Sequence, residues 1–181
     1  MKAIQTVNLT KKYKDLTAVD NLCLQIEQGE LFSLLGINGA GKTTLIKMLS
    51  CLSVPTSGDA TIFEKSILHD GADIKRLVGV SPQETAVAPG LSVRENLELM
   101  CGIYGYISKD ARLKVEELSC ELGLDGVLSK QAGKLSGGYK RRLSIAMALI
   151  SEPKLLFLDE PTLGLDVIAR AELWELIRSI K

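Results

Sequence analysis

Gly36, Ile37, Asn38, Gly39, Ala40, Gly41, Lys42, Thr43 and Thr44 run consecutively. Glycines at 36, 39 and 41 let the main chain curl until successive N–H groups face one point, an arrangement that cradles an anion. A helix starting near Lys42 adds the partial positive charge of its first turn. In a phosphate-binding loop of this spacing the lysine ammonium reaches the β- and γ-phosphates, and the following hydroxyl, Thr43, is offered to Mg2+.

A second group lies far along the chain. Leu155, Leu156, Phe157 and Leu158 lead directly into Asp159, Glu160 and Pro161. An apolar strand ending in two acids places carboxylates at the carboxyl edge of a sheet, where open α/β folds bind their ligands. Asp159 is a candidate to hold Mg2+ through water, and Glu160 to orient or deprotonate an attacking water. Between the two groups, Leu135, Ser136, Gly137, Gly138 and Tyr139 read as a helix start. Ser136 is its N-cap, and the glycines leave the first N–H groups open to an anion.

These groups need elements to hold them. Residues 3–9 and 17–26 carry half-alternating apolar residues and read as strands, with a turn at 27–30. A buried strand is expected at 31–35, feeding the glycine loop, then a helix over 42–52. A short strand at 60–63, a short helix at 72–77 and a strand at 78–81 follow. Beyond Gly90 the pattern turns helical: Ser92 and Glu95 form a capping box, a second helix fits 110–122 before Gly123, and a third fits 136–150. A strand at 154–158 and a helix at 167–180 close the chain. Strands alternating with helices imply an α/β fold with a mostly parallel sheet covered on both faces, interrupted by a helical lobe. The expected division is a nucleotide-binding core over 1–88, a helical subdomain over 89–152 and the rest of the core over 153–181.

Lys and Arg total 22, as do Asp and Glu, which argues against a nucleic-acid binder driven by bulk charge. Cys23, Cys51, Cys101 and Cys120 lie far apart without metal-ligand spacing and read as free thiols of a reducing compartment. The first six residues carry no apolar run of the signal-peptide kind, and no stretch reaches the roughly 20 apolar residues of a membrane-crossing helix. Any membrane role would come through a partner.

The order of the glycine loop, Gln83, the Leu135–Tyr139 run, the Asp159–Glu160 pair and Leu165–Asp166 resembles the ATP-binding cassette (ABC) family from end to end. Leu135, Ser136, Gly137 and Gly138 match its signature motif; Ser81, Pro82, Gln83 and Glu84 its Q-loop; Gly164, Leu165 and Asp166 its D-loop. The resemblance implies a P-loop NTPase fold with an N-terminal antiparallel β part and an inserted helical subdomain. It implies Tyr13 as the aromatic stacked on adenine, Gln83 as nucleotide sensor and further Mg2+ contact, and Asp166 at the nucleotide interface. Two cassettes, identical or related, would pair head to tail, with ATP on one copy's Lys42 loop covered by Ser136, Gly137 and Gly138 of the other. An integral membrane permease would receive the motion, placing the chain in the cytoplasm against the inner face of the cell membrane. Residues 91–97 and 139–143 resemble bacterial multidrug and antibiotic export ATPases.

Two departures stand out. Tyr139 replaces the signature's usual glutamine, and Lys140, Arg141 and Arg142 after it read in part as a solvated helix face. No histidine follows the D-loop; His69 precedes Gln83 and reads as an exposed loop residue. The resemblance places a switch histidine after one more strand beyond the D-loop helix, a strand that pairs within the sheet; without it the 181 residues alone are expected to be destabilised and to hydrolyse ATP poorly. Two other readings compete: a soluble ABC ATPase outside transport, disfavoured by the short connection between Gln83 and Ser136, and a cassette that acts as an interaction module without turnover.

Overall fold

The computed structural model describes residues 1–37 and 39–180. These form two compact units, Met1–Val78 and Gly79–Lys181.

The first unit is built on one long strand, β1 (Lys2–Tyr13). Its second half pairs antiparallel with β2 (Leu16–Leu22) and its first half with β3 (Gln25–Glu27). Where those two partners meet, threonine side chains take over from the ladder. The buried Thr6 hydroxyl donates to Leu22 O at 2.9 Å and accepts from Leu24 N at 2.8 Å. Thr10 accepts from Asn21 N at 3.0 Å. A buried polar group is tolerated in a strand when it meets such demands. The other edge of β1 pairs antiparallel with β4 (Ser57–Ile62), which pairs with β5 (Lys65–Ser66). Ile4, Leu9 and Ile62 are fully buried, as are Met48 and Leu49 of α1 (Lys42–Leu49) and Ile74 of α2 (Gly71–Leu77).

Helix α1 ends earlier than the expected position 52. The Ser50 hydroxyl turns back to Ile46 O at 2.7 Å, and Cys51 takes a left-handed φ of 56°, which breaks the helical path.

One expectation is overturned. Residues 31–35 do not form a strand. Leu31 is 61% exposed, Leu35 92% and Ile37 83%. Apolar composition signals a demand for burial, whereas a strand exists only where a neighbour supplies the ladder; among the described residues none does so here.

The second unit pairs β6 (Val78–Ser81) with β7 (Leu155–Leu158) and surrounds them with helices. These are α3 (Val93–Ile103), α4 (Ser108–Glu121), α5 (Gly137–Leu149) and α6 (Val167–Ser179), with 3-10 turns at Asp125–Val127 and Ala132–Lys134. The Ser92–Glu95 capping box starts α3 as expected. The core joins Val93, Leu97 and Cys101 of α3, Val115 and Leu118 of α4, Leu143, Ile145 and Met147 of α5, and Leu173 and Ile177 of α6. In α3, α4 and α6 these positions recur at three- and four-residue spacing, so each turns one apolar stripe inward; in α5 they alternate with buried Ser144, Ala146 and Ala148, so that helix is enclosed on most sides. Gly79 lets α5 approach β6: a β-carbon there would lie 2.5 Å from Ala148 O and 2.8 Å from Pro153 Cγ. No helix among the described residues is long and apolar enough to cross a membrane.

Candidate nucleotide site

The glycine loop belongs to the first unit. Gly39 and Gly41 have φ of 85° and 84°, the left-handed region that glycine enters without a Cβ penalty. At Gly41 space imposes the same choice, because a β-carbon would lie 2.1 Å from Ala18 O in β2. Gly39 faces open space. The Lys42 ammonium folds back over the loop, donating to Gly36 O at 2.8 Å and Ile37 O at 3.1 Å. Helix α1 begins at that lysine, and Thr43 and Thr44 occupy its half-buried first turn. Gly36 and Ala40 are exposed beside them; Asn38 lies outside the described residues. Tyr13 ends β1 with its side chain 45% exposed and the Lys11 ammonium 5.1 Å from its ring centre.

The remaining candidates belong to the second unit. Asp159 follows β7, is buried, and its N–H donates to Ser81 O at 3.0 Å. Glu160 is half-buried with φ 46°, a left-handed conformation that costs an L-residue about 1–2 kcal/mol. Gln83 is exposed just beyond β6. Ser136 is the N-cap of α5 and accepts from Tyr139 N. Asp166 is the N-cap of α6 and accepts from Ala169 N at 2.9 Å. The starts of these two helices lie side by side. A β-carbon at Gly137 would be 3.4 Å from Leu165 Cδ2, and one at Gly138 would be 3.6 Å from Ala169 Cβ. Ser136, Gly137, Gly138 and Asp166 therefore share one edge of this unit.

Arg141 is the residue that the sequence reading did not single out. It is 5% exposed, in the second turn of α5. Its guanidinium donates to four main-chain carbonyls: Nε to Pro161 O at 2.8 Å, Nη2 to Glu160 O at 2.6 Å and to Asp159 O, and Nη1 to Pro82 O. Burial pushes its pKa below the ordinary arginine value, and the charges of Asp159 and Glu160 oppose that push. It stays protonated. One turn along the same face, the Ser144 hydroxyl meets the Ser81 hydroxyl at 2.9 Å. The neighbouring Arg142 pairs with Glu172 at 2.7 Å and lies over the Tyr139 ring. The signal available in the sequence was spacing: Arg141, Ser144 and Ala148 fall on one helical face amid apolar residues.

The donor types fit a magnesium–nucleotide complex. The open loop at Gly39, with the Lys42 ammonium over its carbonyls, suits a phosphate chain. Thr43 in the first unit, and separately Asp159 in the second, each carry the hard oxygen type that Mg2+ takes beside phosphate and water. Among the described residues no cluster of three or more His, Cys, Asp or Glu side chains forms a metal cage.

A glycine loop opening a helix, an acid-tipped strand and a serine-capped helix beside it are the marks of a P-loop nucleotide-binding fold of the α/β class. The comparisons agree. The family described as ABC transporter matches residues 19–163, and this chain belongs to that family. It is 38% identical to the daunorubicin/doxorubicin resistance ATP-binding protein DrrA of Streptomyces peucetius, over 99% of this chain and 54% of that protein. The fold matches cbiO1 of Clostridium perfringens, part of the ABC transporter complex cbiONQ, with a TM-score of 0.86 and 27% identity, covering 97% of this chain and 72% of that one. It also matches a dimeric ATP-binding cassette in a post-hydrolysis state bound to ADP and Pi, with a TM-score of 0.85 and 28% identity, covering 97% and 81%. The chain spans about half the length, or less, of the curated relatives it matches.

Proposed function

We propose that this chain is the ATP-binding and ATP-hydrolysing part of an ABC transporter that exports drugs or other small molecules. The observation that carries this is the loop at Lys42: left-handed Gly39 and Gly41, and an ammonium already bonded to the loop carbonyls, in a chain of the ABC transporter family.

Each residue has a task in this reading. The loop N–H groups and the first turn of α1 hold the phosphates. Lys42 exchanges its carbonyl partners for the β- and γ-oxygens, a charge-assisted bond that a neutral side chain cannot make. Thr43, Asp159 and Gln83 would hold Mg2+, which when bound offsets charge on the phosphates. Glu160 orients the attacking water and takes its proton. Tyr13 stacks on the base. Ser136, Gly137, Gly138 and Asp166 complete the site of a second cassette, identical or related. The dimeric, ADP- and Pi-bound relative supports the pairing. Cleavage removes the anion that both cassettes grip, so the pair opens; a local electrostatic change becomes a global movement. A permease subunit at the inner face of the cell membrane receives that movement, as the complex containing cbiO1 suggests. The likeness to DrrA favours drug export over other cargo.

The test is purification with and without a co-expressed permease, with Mg-ATP turnover measured in both. ATP hydrolysis that depends on Lys42 and rises with a co-purified membrane protein supports the reading. Retention of labelled ATP without turnover in either sample would favour an interaction module instead.

A further inference from the structure

We infer that Arg141 is a positioning residue for ATP hydrolysis: from the signature helix its guanidinium fixes the main chain that carries Gln83 and Glu160. The inference deepens the function proposed above and rests on it.

The argument begins with cost. A guanidinium taken out of water loses its hydration, and only several well-aimed acceptors replace it. Arg141 meets that demand with four carbonyls, none from its own helix. They come from two separate turns. Pro82 O lies just after β6 and immediately before Gln83; Asp159 O, Glu160 O and Pro161 O follow β7. A planar fork reaches such divergent acceptors at once, which the point charge of a lysine does not.

The acceptors also matter. Main-chain carbonyls report the path of the backbone, so Arg141 recognises a conformation and not a side chain. That conformation includes Glu160 at φ 46°, a strained state that persists only where its surroundings over-determine it. Glu160 O is held twice, by Arg141 Nη2 and by Leu163 N at 3.1 Å. The Ser144–Ser81 bond anchors the same helix face to the end of β6, and Asp159 N is bonded to that same Ser81. A helix whose first residues belong to the signature is thus tied to both turns that carry the chemistry. Any shift of α5 on closure of a cassette pair is passed to the Glu160 carboxylate through these bonds.

The test compares wild type with Arg141→Lys, Arg141→Gln and Arg141→Ala, in two arms. In amide hydrogen exchange without nucleotide, segments 81–84 and 158–164 of the Ala variant should exchange roughly 5- to 100-fold faster, while α3 keeps its wild-type rate. In Mg-ATP turnover, kcat should fall by roughly 100-fold with KM for ATP changed by less than about threefold, because a misplaced Glu160 affects the chemical step and not the phosphate loop. Millimolar guanidinium ion should restore part of kcat in the Ala variant and none in the Lys variant. Unchanged exchange in both segments overturns the inference, as does a uniform rise across the unit with no guanidinium rescue. If wild type itself does not hydrolyse ATP, the proposed function fails, while the exchange arm still decides whether Arg141 sets this backbone.

Discussion

The hydroxyls of Ser81 and Ser144 meet at 2.9 Å in the interior of the second unit, joining the end of β6 to the middle of α5. Removing one hydroxyl leaves the other buried without its partner. Ser144→Ala should cost about 1–3 kcal/mol, and the Ser81→Ala/Ser144→Ala pair less than the sum of the two single changes. Denaturant unfolding of the four proteins forms the cycle, and strict additivity would show that the bond contributes nothing.

Lys42→Ala removes the ammonium that crowns the glycine loop. A lost hydrogen bond to a charged group corresponds to roughly 10- to 150-fold in affinity. Equilibrium binding of labelled Mg-ATP measures this. An unchanged Kd would remove Lys42 from the phosphate site.

Glu160→Gln keeps the shape of the side chain and deletes its basicity. ATP binding should persist while turnover falls by about 100- to 10,000-fold, the range of a lost general base. A dimer that accumulates with ATP, seen by light scattering, is the accompanying sign. Wild-type turnover by this variant would return the water-handling role to another group.

Gly79 and Gly102 should respond in opposite directions. Alanine at 79 meets Ala148 O and Pro153 Cγ and should destabilise by about 1–3 kcal/mol. Alanine at 102, near the end of α3, meets nothing within 4 Å and should stabilise by up to about 1 kcal/mol. Thermal unfolding reads both, and a stabilising Gly79→Ala would contradict the close approach of α5 to β6.

The capping box of α3 sets a pH dependence. The Ser92 N–H, then the Ser92 hydroxyl, donate to Glu95 and hold its carboxyl below the usual carboxylate range. A depressed folded-state pKa gives stabilisation that is complete above the unfolded value of about 4.3 and disappears as pH falls through the folded value. Glutamine at 95 preserves the box without titrating. The stability difference between wild type and Glu95→Gln should therefore diminish as pH is lowered below about 4. A difference that stays constant with pH would rule out this linkage.

Local signals were legible wherever the chemistry is local. The glycines at 39 and 41, the caps at Ser92 and Ser136, and the apolar stripes of α3, α4 and α6 depend on neighbours within a turn or two, and the structure has them where the residues called for them. The family could be read as well, because its loops follow one another in a specific order along the chain. Residues 31–35 were misread for the converse reason: an apolar run states what it needs, not whether a partner strand is there to provide it. Arg141 escaped notice for a related one. Between Lys140 and Arg142 it looks like another solvated charge, and only the return of two distant turns to the face of α5 encloses it and aims four carbonyls at its guanidinium. By itself, then, the sequence determined which groups are present and how each local turn is made. The tertiary structure decided which charges are buried and what they hold, since burial and long-range hydrogen bonds depend on residues that linear order keeps far apart.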